Sequence, residues 1–269
     1  MSKSVGFLGP GQMGEPMVGR LVGAGYRTVV YARKEPVRQR LRDAGATVVD
    51  SIAEASADHD VVIVCVFSDE QLLDVLDGPA GVLACARRDA VVVSHTTGAV
   101  STLVGLAEAH PDGPVLLDGP VSGSAKDIEK GQLTVFLGGP DSAVESVRPV
   151  LSAYANTVIP TGARGSALAM KLVNNALFAA NAQLVALAGD LGRRMGIDEE
   201  QMLTALSVAS GNSFAAESIR RTGGFAAFEK RAAPFLRKDV AACLEATTAL
   251  GVDLGRLGTV IADGPFDLS

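Results

Sequence analysis

The sequence predicts an α/β fold in which a doubly wound sheet of parallel strands is followed by a smaller all-α domain joined to it by a long helix. Three observations predict it: short Val/Ile/Leu runs alternate with helix-patterned segments, a glycine-rich turn follows the first run directly, and strand-like runs disappear beyond residue 162. At 269 residues the chain is about 1.8 times the ~150 residues usual for one domain, so two domains are expected, at 1–162 and 163–269.

The apolar runs are Val5 to Leu8, Thr28 to Tyr31, Val61 to Phe67, Ala90 to Ser94 and Val115 to Leu117. Apolar on both faces, they read as strands covered by helices on either side. Glu15 to Ala24, Pro36 to Ala44, Asp69 to Leu76 and Val100 to Ala109 are the helical segments between them. Thr134 to Leu137 and Val158 to Ile159, flanking a helix over Asp141 to Ala153, extend the sheet. From Ser166 to about Met195, Ala and Leu dominate, which makes a helix of roughly 40 Å. Helices are further expected over Asp198 to Ser210, Phe214 to Arg221 and Pro234 to Leu250, whereas Gly251 to Ser269 is Gly-rich and lacks an evident capping helix.

Composition narrows the function classes. With 48% hydrophobic and 20% charged residues and a mean hydropathy of +0.27, the chain is neither disordered nor of low complexity. Its longest apolar run, Val61 to Phe67, falls far short of the ~20 residues a membrane-spanning helix needs, so no membrane segment is expected. The amino terminus leads straight into a strand and leaves no room for a signal peptide, which makes the cytoplasm the expected compartment. Cys65, Cys85 and Cys243 form no C-x-x-C, so neither a disulfide framework nor a zinc site is suggested. A net charge of −6, 4% aromatic residues and the absence of Trp argue against nucleic acid as a ligand.

Gly9-Pro10-Gly11-Gln12-Met13-Gly14 follows the first strand and opens the first helix, the setting of a dinucleotide-binding turn in a Rossmann-type fold. Gly9 permits the tight turn, Gly11 lets a pyrophosphate approach the backbone, and Gly14 allows close helix-to-strand packing. With Gln12 and Met13 between them, the helix N-terminus faces the phosphates. At the end of the second strand, where an NAD-specific site carries an acid, stands Ala32. Arg33 and Lys34 follow, with Arg38 one turn on, and offer cations to a 2′-phosphate. NADP is therefore expected over NAD, with NAD or dual use as the alternative.

Four blocks spanning residues 6 to about 250 carry a family resemblance. They are Gly6 to Met17 around the glycine turn; Asp118-Gly119-Pro120-Val121-Ser122-Gly123-Ser124 with Gly131-Gln132-Leu133-Thr134; Gly165 with Lys171-Leu172-Val173-Asn174-Asn175; and Leu236-Arg237-Lys238-Asp239. In this order they resemble the β-hydroxyacid dehydrogenase family, which includes 3-hydroxyisobutyrate dehydrogenase and tartronate semialdehyde reductase. The chain departs from the family pattern at Asp127-Ile128, usually Gly-Ala, at Ser124, the second glycine of S-G-G, and at Ala167, a glycine ahead of the lysine. It also stops one or two helices earlier than the resemblance leads one to expect.

Lys171 and Asn175 are four apart and Asn174 is three from Lys171, so all three can share one helical face. Carbonyl reduction leaves negative charge on oxygen, which calls for a proton donor beside it, and the resemblance makes Lys171 the candidate. A lysine with a pKa near ~10.4 needs burial or a neighbouring cation to work at neutral pH. Lys238, placed by the resemblance at the nicotinamide end of the cofactor, is the candidate cation. Asn175 would orient the substrate hydroxyl and Asn174 would bind substrate beside it. The substrate-binding block implies that Ser122 and the backbone amides of Gly123 and Ser124 hold a carboxylate. Phe67 and Thr97, at strand ends, are assigned to the cofactor side. His95, at a strand terminus, is a weaker acid–base candidate, while His59 and His110 are expected to be solvated. No metal is called for.

The resulting expectation is an NADP-preferring oxidoreductase that interconverts a small 3-hydroxy acid and its semialdehyde. An imine reductase of the same architecture, against which Lys171 speaks, and a non-catalytic NADPH-binding module are the alternatives. Ala and Leu on more than one face of the long helix predict a homodimer or higher homo-oligomer.

Overall fold

The structure, a computed structural model, describes residues 3–249 and 251–268. The chain divides into two compact units, Met1–Lys171 and Leu172–Ser269, so the opening of the long helix goes with the first unit instead of with the residues after 162.

The first unit begins β1 (Ser4–Leu8), α1 (Gly14–Gly23), β2 (Arg27–Tyr31), α2 (Glu35–Asp43), β3 (Thr47–Val49), α3 (Ile52–Ser56) and β4 (Val61–Val64). It continues α4 (Asp69–Leu76), α5 (Val82–Cys85), β5 (Val91–Ser94), α6 (Val100–Ala109), β6 (Val115–Asp118), β7 (Val121–Ser122), α7 (Ala125–Glu129), β8 (Leu133–Gly138), α8 (Asp141–Leu151) and β9 (Ala155–Gly162). The strands form one sheet in the order β3-β2-β1-β4-β5-β6-β8-β7, with β9 beside β8. The strand order reverses at β1, which pairs in parallel with both β2 and β4. The loops after β1 and β4 therefore lie side by side at the carboxyl ends of the strands, where such sheets bind ligands.

Parallel pairing runs from β3 through β6, but β8 is antiparallel to β6 and to β7. The link from Ser122 to Leu133 is shorter than the dozen or so residues a parallel crossover needs, so β7 and β8 return as a hairpin. Burial on both faces explains the unbroken apolar runs. Val61 and Ile63 join Val5 and Phe7 in one core cluster, while Val62 and Val64 join Leu8, Val92 and Leu116 in the other. The run from Val61 leaves the sheet at Val64, three residues before its expected end at Phe67. Short elements without strong periodicity, β3, α3, α5 and α7, were not expected from the sequence. Two of these helices carry side-chain caps, Ser51 accepting from Glu54 N–H and Ser124 from the turn it opens.

The long helix, α9 (Ser166–Arg194), leads into the second unit, which holds α10 (Glu199–Leu206), α11 (Phe214–Thr222), α12 (Phe225–Ala249) and α13 (Gly255–Asp263). Leu172, Ala176, Ala179, Ala180 and Val185 of α9 pack with Leu203, Ile219, Phe228 and Leu236, the alanines permitting close helix approach. By length and composition α9 is apolar enough to cross a membrane, although polar residues interrupt its apolar runs. The burial of its alanine face and of Gln183 marks it as the core helix of this unit. Gln183 Nε2 donates to the carbonyls of Ile261 and Phe266 at 2.8 Å each, and its Oε1 accepts from Phe266 N–H at 2.9 Å. These bonds tie α13 and the residues after it to α9, correcting the expectation that Gly251 to Ser269 lacks a helix. Pro234 lies inside α12 instead of opening it, because Phe228 before it and Leu236 and Val240 after it bury one continuous face. That burial outweighs the ~3 kcal/mol cost of an interior proline.

Candidate active site

The glycine turn separates into packing and open positions. Gly9 sits at φ +84°, and a side chain there would run into the Cys65 carbonyl beyond β4. A Cβ at Gly14 would run into the Gly9 carbonyl oxygen and lie 2.9 Å from Phe7 Cε1, so this glycine lets α1 press on the turn and on β1. At the exposed Gly11 an added Cβ would meet no atom within 4 Å. Open space there, directly before the N-terminus of α1, fits a pyrophosphate. Gln12 is exposed and Met13 half-buried at the same corner.

After β2, Ala32 is buried and Arg33 and Lys34 are exposed ahead of α2. Arg38 is committed elsewhere. Its Nη1 donates to the carbonyls of Ala32 at 3.1 Å and Val49 at 2.9 Å, and its Nη2 reaches Asp50 Oδ1 at 2.5 Å. It clamps the ends of β2 and β3, so the cations placed for a 2′-phosphate reduce to Arg33 and Lys34.

Phe67 lies beyond β4, 62% exposed, with its N–H donating to Gln71 Oε1 at 3.1 Å. It borders the strand end without belonging to the strand. Thr97 is half-buried in the loop between β5 and α6, and the preceding Thr96 accepts from Val66 N–H at 3.4 Å, joining the loops after β4 and β5. His95 is buried: Nδ1 donates to the Gly119 carbonyl and Nε2 accepts from the Tyr154 hydroxyl at 2.7 Å. Burial pushes its pKa down to about 4, opposed by the Gly119 carbonyl. With both nitrogens occupied in a neutral ring, His95 is a packing residue, not an acid–base group. His59 is also buried, contrary to expectation, and burial lowers its pKa. His110 meets Asp77 Oδ1 at 3.0 Å.

On the expected carboxylate-binding loop, Ser122 is half-buried on β7 and Gly123 is exposed. Ser124 does not serve as expected. Its N–H and its Oγ both donate to Asp127 Oδ2, at 2.7 and 2.6 Å, forming a capping box on α7. The amide proposed for a substrate carboxylate already has a carboxylate, supplied by the residue that replaces the family's glycine. The S-x-x-D spacing of Ser124 and Asp127 was the available signal.

Lys171, Asn174 and Asn175 all lie on α9, at helical positions that share a face. Lys171 and Asn174 are half-buried, while Asn175 is only 5% exposed. Asn175 Oδ1 accepts from Asn174 Nδ2 at 3.2 Å, and Asn175 Nδ2 is buried with no hydrogen-bond partner. A buried amide donor in that state is costly unless a ligand supplies the acceptor. Lys238 is half-buried on α12 in the second unit, whereas Lys171 belongs to the first. Sequence reasoning missed the role of Asp118, which ends β6 fully buried and accepts the N–H groups of Gly165, Ala167 and Leu168. Its partners lie on a distant segment, and no local pattern announces them.

Residues 4–162 match the family model described as the NAD binding domain of 6-phosphogluconate dehydrogenase, and residues 165–262 match the one described as NAD-binding of NADP-dependent 3-hydroxyisobutyrate dehydrogenase. The chain belongs to the β-hydroxyacid dehydrogenase family. As a member of that family it is an NAD(P)-binding oxidoreductase of the 3-hydroxyisobutyrate dehydrogenase type. It is 30% identical over 221 residues to 2-(hydroxymethyl)glutarate dehydrogenase of Eubacterium barkeri, covering 81% of this chain and 73% of that one. With the mitochondrial 3-hydroxyisobutyrate dehydrogenase of Rattus norvegicus it shares 29% over 221 residues, covering 82% and 66% respectively. The Mycobacterium tuberculosis 3-hydroxyisobutyrate dehydrogenase solved with L-serine superposes with a TM-score of 0.86 at 27% identity, covering 97% of this chain and 92% of that one. An imine reductase from Pseudomonas sp. shares the fold more distantly, with a TM-score of 0.63 at 18% identity and the same coverage of both chains.

Proposed function

We propose that this β-hydroxyacid dehydrogenase prefers NADP and interconverts a short 3-hydroxy acid with its semialdehyde, using Lys171 as the general acid and base. The observation that carries the reading is the buried, unpartnered Nδ2 of Asn175, one helical turn from Lys171. Its carbonyl is already taken by Asn174, so the amide is polarised as a donor and calls for an oxygen acceptor, which the substrate's carbonyl or hydroxyl supplies.

A bound nicotinamide dinucleotide supplies the hydride equivalent. Gly11 and the N-terminus of α1 receive its pyrophosphate, and Arg33 and Lys34 receive the 2′-phosphate. Asn175 Nδ2 holds the substrate oxygen, and Lys171 Nζ gives that oxygen a proton during reduction and takes it back during oxidation. Lys238 is proposed to bind the cofactor, as the family resemblance implies. Ser122 and the Gly123 amide bind the carboxylate, with Ser124 omitted because Asp127 holds it. The exposed apolar edge of α9 is proposed to pair with a second copy of the chain.

The test is oxidation of NADPH and NADH, followed by nicotinamide absorbance, against carboxylated semialdehydes and cyclic imines, with Lys171→Ala in parallel. Aldehyde turnover lost in the variant while NADPH binding persists is the expected result. Imine-only turnover would move the chain to the imine reductase reading, and turnover undiminished in Lys171→Ala would remove the lysine from the mechanism.

A further inference from the structure

We infer that Asp118 is the positioning residue of the reaction: its carboxylate fixes where α9 begins and how it is turned, and so where Lys171 stands. The inference rests on the proposed role of Lys171 and adds the residue that sets its geometry. Asp118 touches neither substrate nor cofactor in this account and acts only through the helix.

All the observations lie within the first unit. Asp118 Oδ1 accepts Gly165 N–H at 2.8 Å, and Oδ2 accepts Ala167 N–H at 2.8 Å and Leu168 N–H at 3.0 Å. The N–H groups of an opening helical turn have no partner within the helix, and they carry its positive end. A capping residue ordinarily meets them locally. Here the acceptor comes from the end of a core strand, so the helix is fixed to the sheet as well as capped. The local hydroxyl at the same place, Ser166 Oγ, is engaged with Thr161 Oγ1 at 2.7 Å.

The surroundings are shaped to seat this carboxylate. Gly138, the register partner of Asp118 on β8, has no room for a side chain, since its Cβ would lie 2.5 Å from Asp118 Oδ1. Gly165 adopts φ +90°, and a Cβ there would come within 2.8 Å of Val100 Cγ1. Two residues earlier on β6, the Leu116 carbonyl accepts from Arg164 Nε at 2.8 Å. One strand thus grips the approach to α9 at two points. Lys171 follows Leu168 by one turn of continuous helix, too short a lever to absorb an error. A one-residue slip in helical phase would swing it by about 100°.

Two substitutions disturb this seat from opposite sides. Asp118→Asn keeps the size but turns a donor toward main-chain donors, and Gly138→Ala displaces an intact Asp118. In the full-length chain each is expected to lower kcat 10- to 100-fold while the NADPH Kd stays within twofold and thermal unfolding remains cooperative. Both should move the pH limb of kcat that Lys171→Ala abolishes, a readout that a cap with no bearing on the lysine would leave in place. The double variant should be no worse than the poorer single, because both act through one seat. Unchanged kcat in both, with Lys171→Ala inactive, overturns the inference alone. Full turnover in Lys171→Ala removes the proton-transfer reading and the inference with it. Should Asp118→Asn fail to fold, Gly138→Ala decides: folded with native kcat and pH profile, it overturns the inference.

Discussion

The Tyr154 hydroxyl donates to His95 Nε2 at 2.7 Å, and the opposite ring nitrogen donates to the Gly119 carbonyl, so the loop after β6 is held through a neutral imidazole to the residue before β9. The ring is buried with Tyr154, and burial holds both neighbouring acids in their neutral forms, raising the Tyr154 hydroxyl and pushing the Cys65 thiol up to about 12. With its folded pKa near 4 against 6.5 unfolded, His95 contributes stability that is present above pH 6.5 and lost as the pH falls toward 4. Between those values only the unfolded chain takes up the proton. The loss should be on the order of 3 kcal/mol, and His59 shifts in the same direction. Denaturant midpoints at pH 7 and pH 4 check this, and Tyr154→Phe, which strands Nε2, should cost ~1–3 kcal/mol at pH 7.

Gly11 and Gly14 should respond differently to substitution. Gly11→Val meets open space, so its melting temperature should match the wild type while the NADPH Kd rises tenfold or more. Gly14→Ala must displace the Gly9 carbonyl as well as Phe7, and should lower the melting temperature along with the NADPH affinity. Calorimetry and cofactor titration on the two variants separate the roles. Equal melting losses would mean that Gly11 is a packing residue and not a ligand contact.

What the sequence made legible follows one physical rule. Strands buried on both faces, such as Val61–Val64, advertise themselves as unbroken apolar runs, and a glycine turn next to one is readable from neighbours alone. Lys171, Asn174 and Asn175 were placed on one face by helical spacing. Arg38 and Asp118 were not readable for their roles. The partners of Arg38 include Val49 and Asp50 on another strand's end, and those of Asp118 lie beyond residue 160, so long-range contacts decide what they do. Ser124 is the intermediate case: its partner Asp127 stands three residues away in the sequence, but only the fold brings the Ser124 N–H and Oγ onto that carboxylate.

Arg33 and Lys34 should carry the choice of cofactor, and Arg38 should not. Replacing both with alanine is expected to raise the NADPH KM tenfold or more and to leave the NADH KM within twofold. Arg38→Ala should instead lower the melting temperature, because it releases the Ala32 and Val49 carbonyls and Asp50, while the ratio of NADPH to NADH use stays the same. Steady-state kinetics with both cofactors decide, and a changed ratio in Arg38→Ala would return that residue to the 2′-phosphate site.

Val173, Leu177, Leu184, Leu187, Leu191 and Met195 are all exposed and recur three, four or seven residues apart along α9 and just past its end. That spacing forms a continuous apolar edge of about 33 Å. No charged residue occurs from Leu172 to Gly189, so the edge from Val173 to Leu187 offers nothing for a charged partner to recognise. A surface of this kind is best covered by one of identical chemistry, and a second copy of the same helix provides it. The full chain should therefore scatter light as at least twice its 27.6 kDa. Leu184, half exposed, can become Glu without entering the core, and Leu184→Glu should yield a folded monomer with an unchanged far-ultraviolet dichroism spectrum. A wild type that scatters as a monomer at micromolar concentration overturns the pairing, and an oligomer undisturbed by Leu184→Glu places the contact on another face.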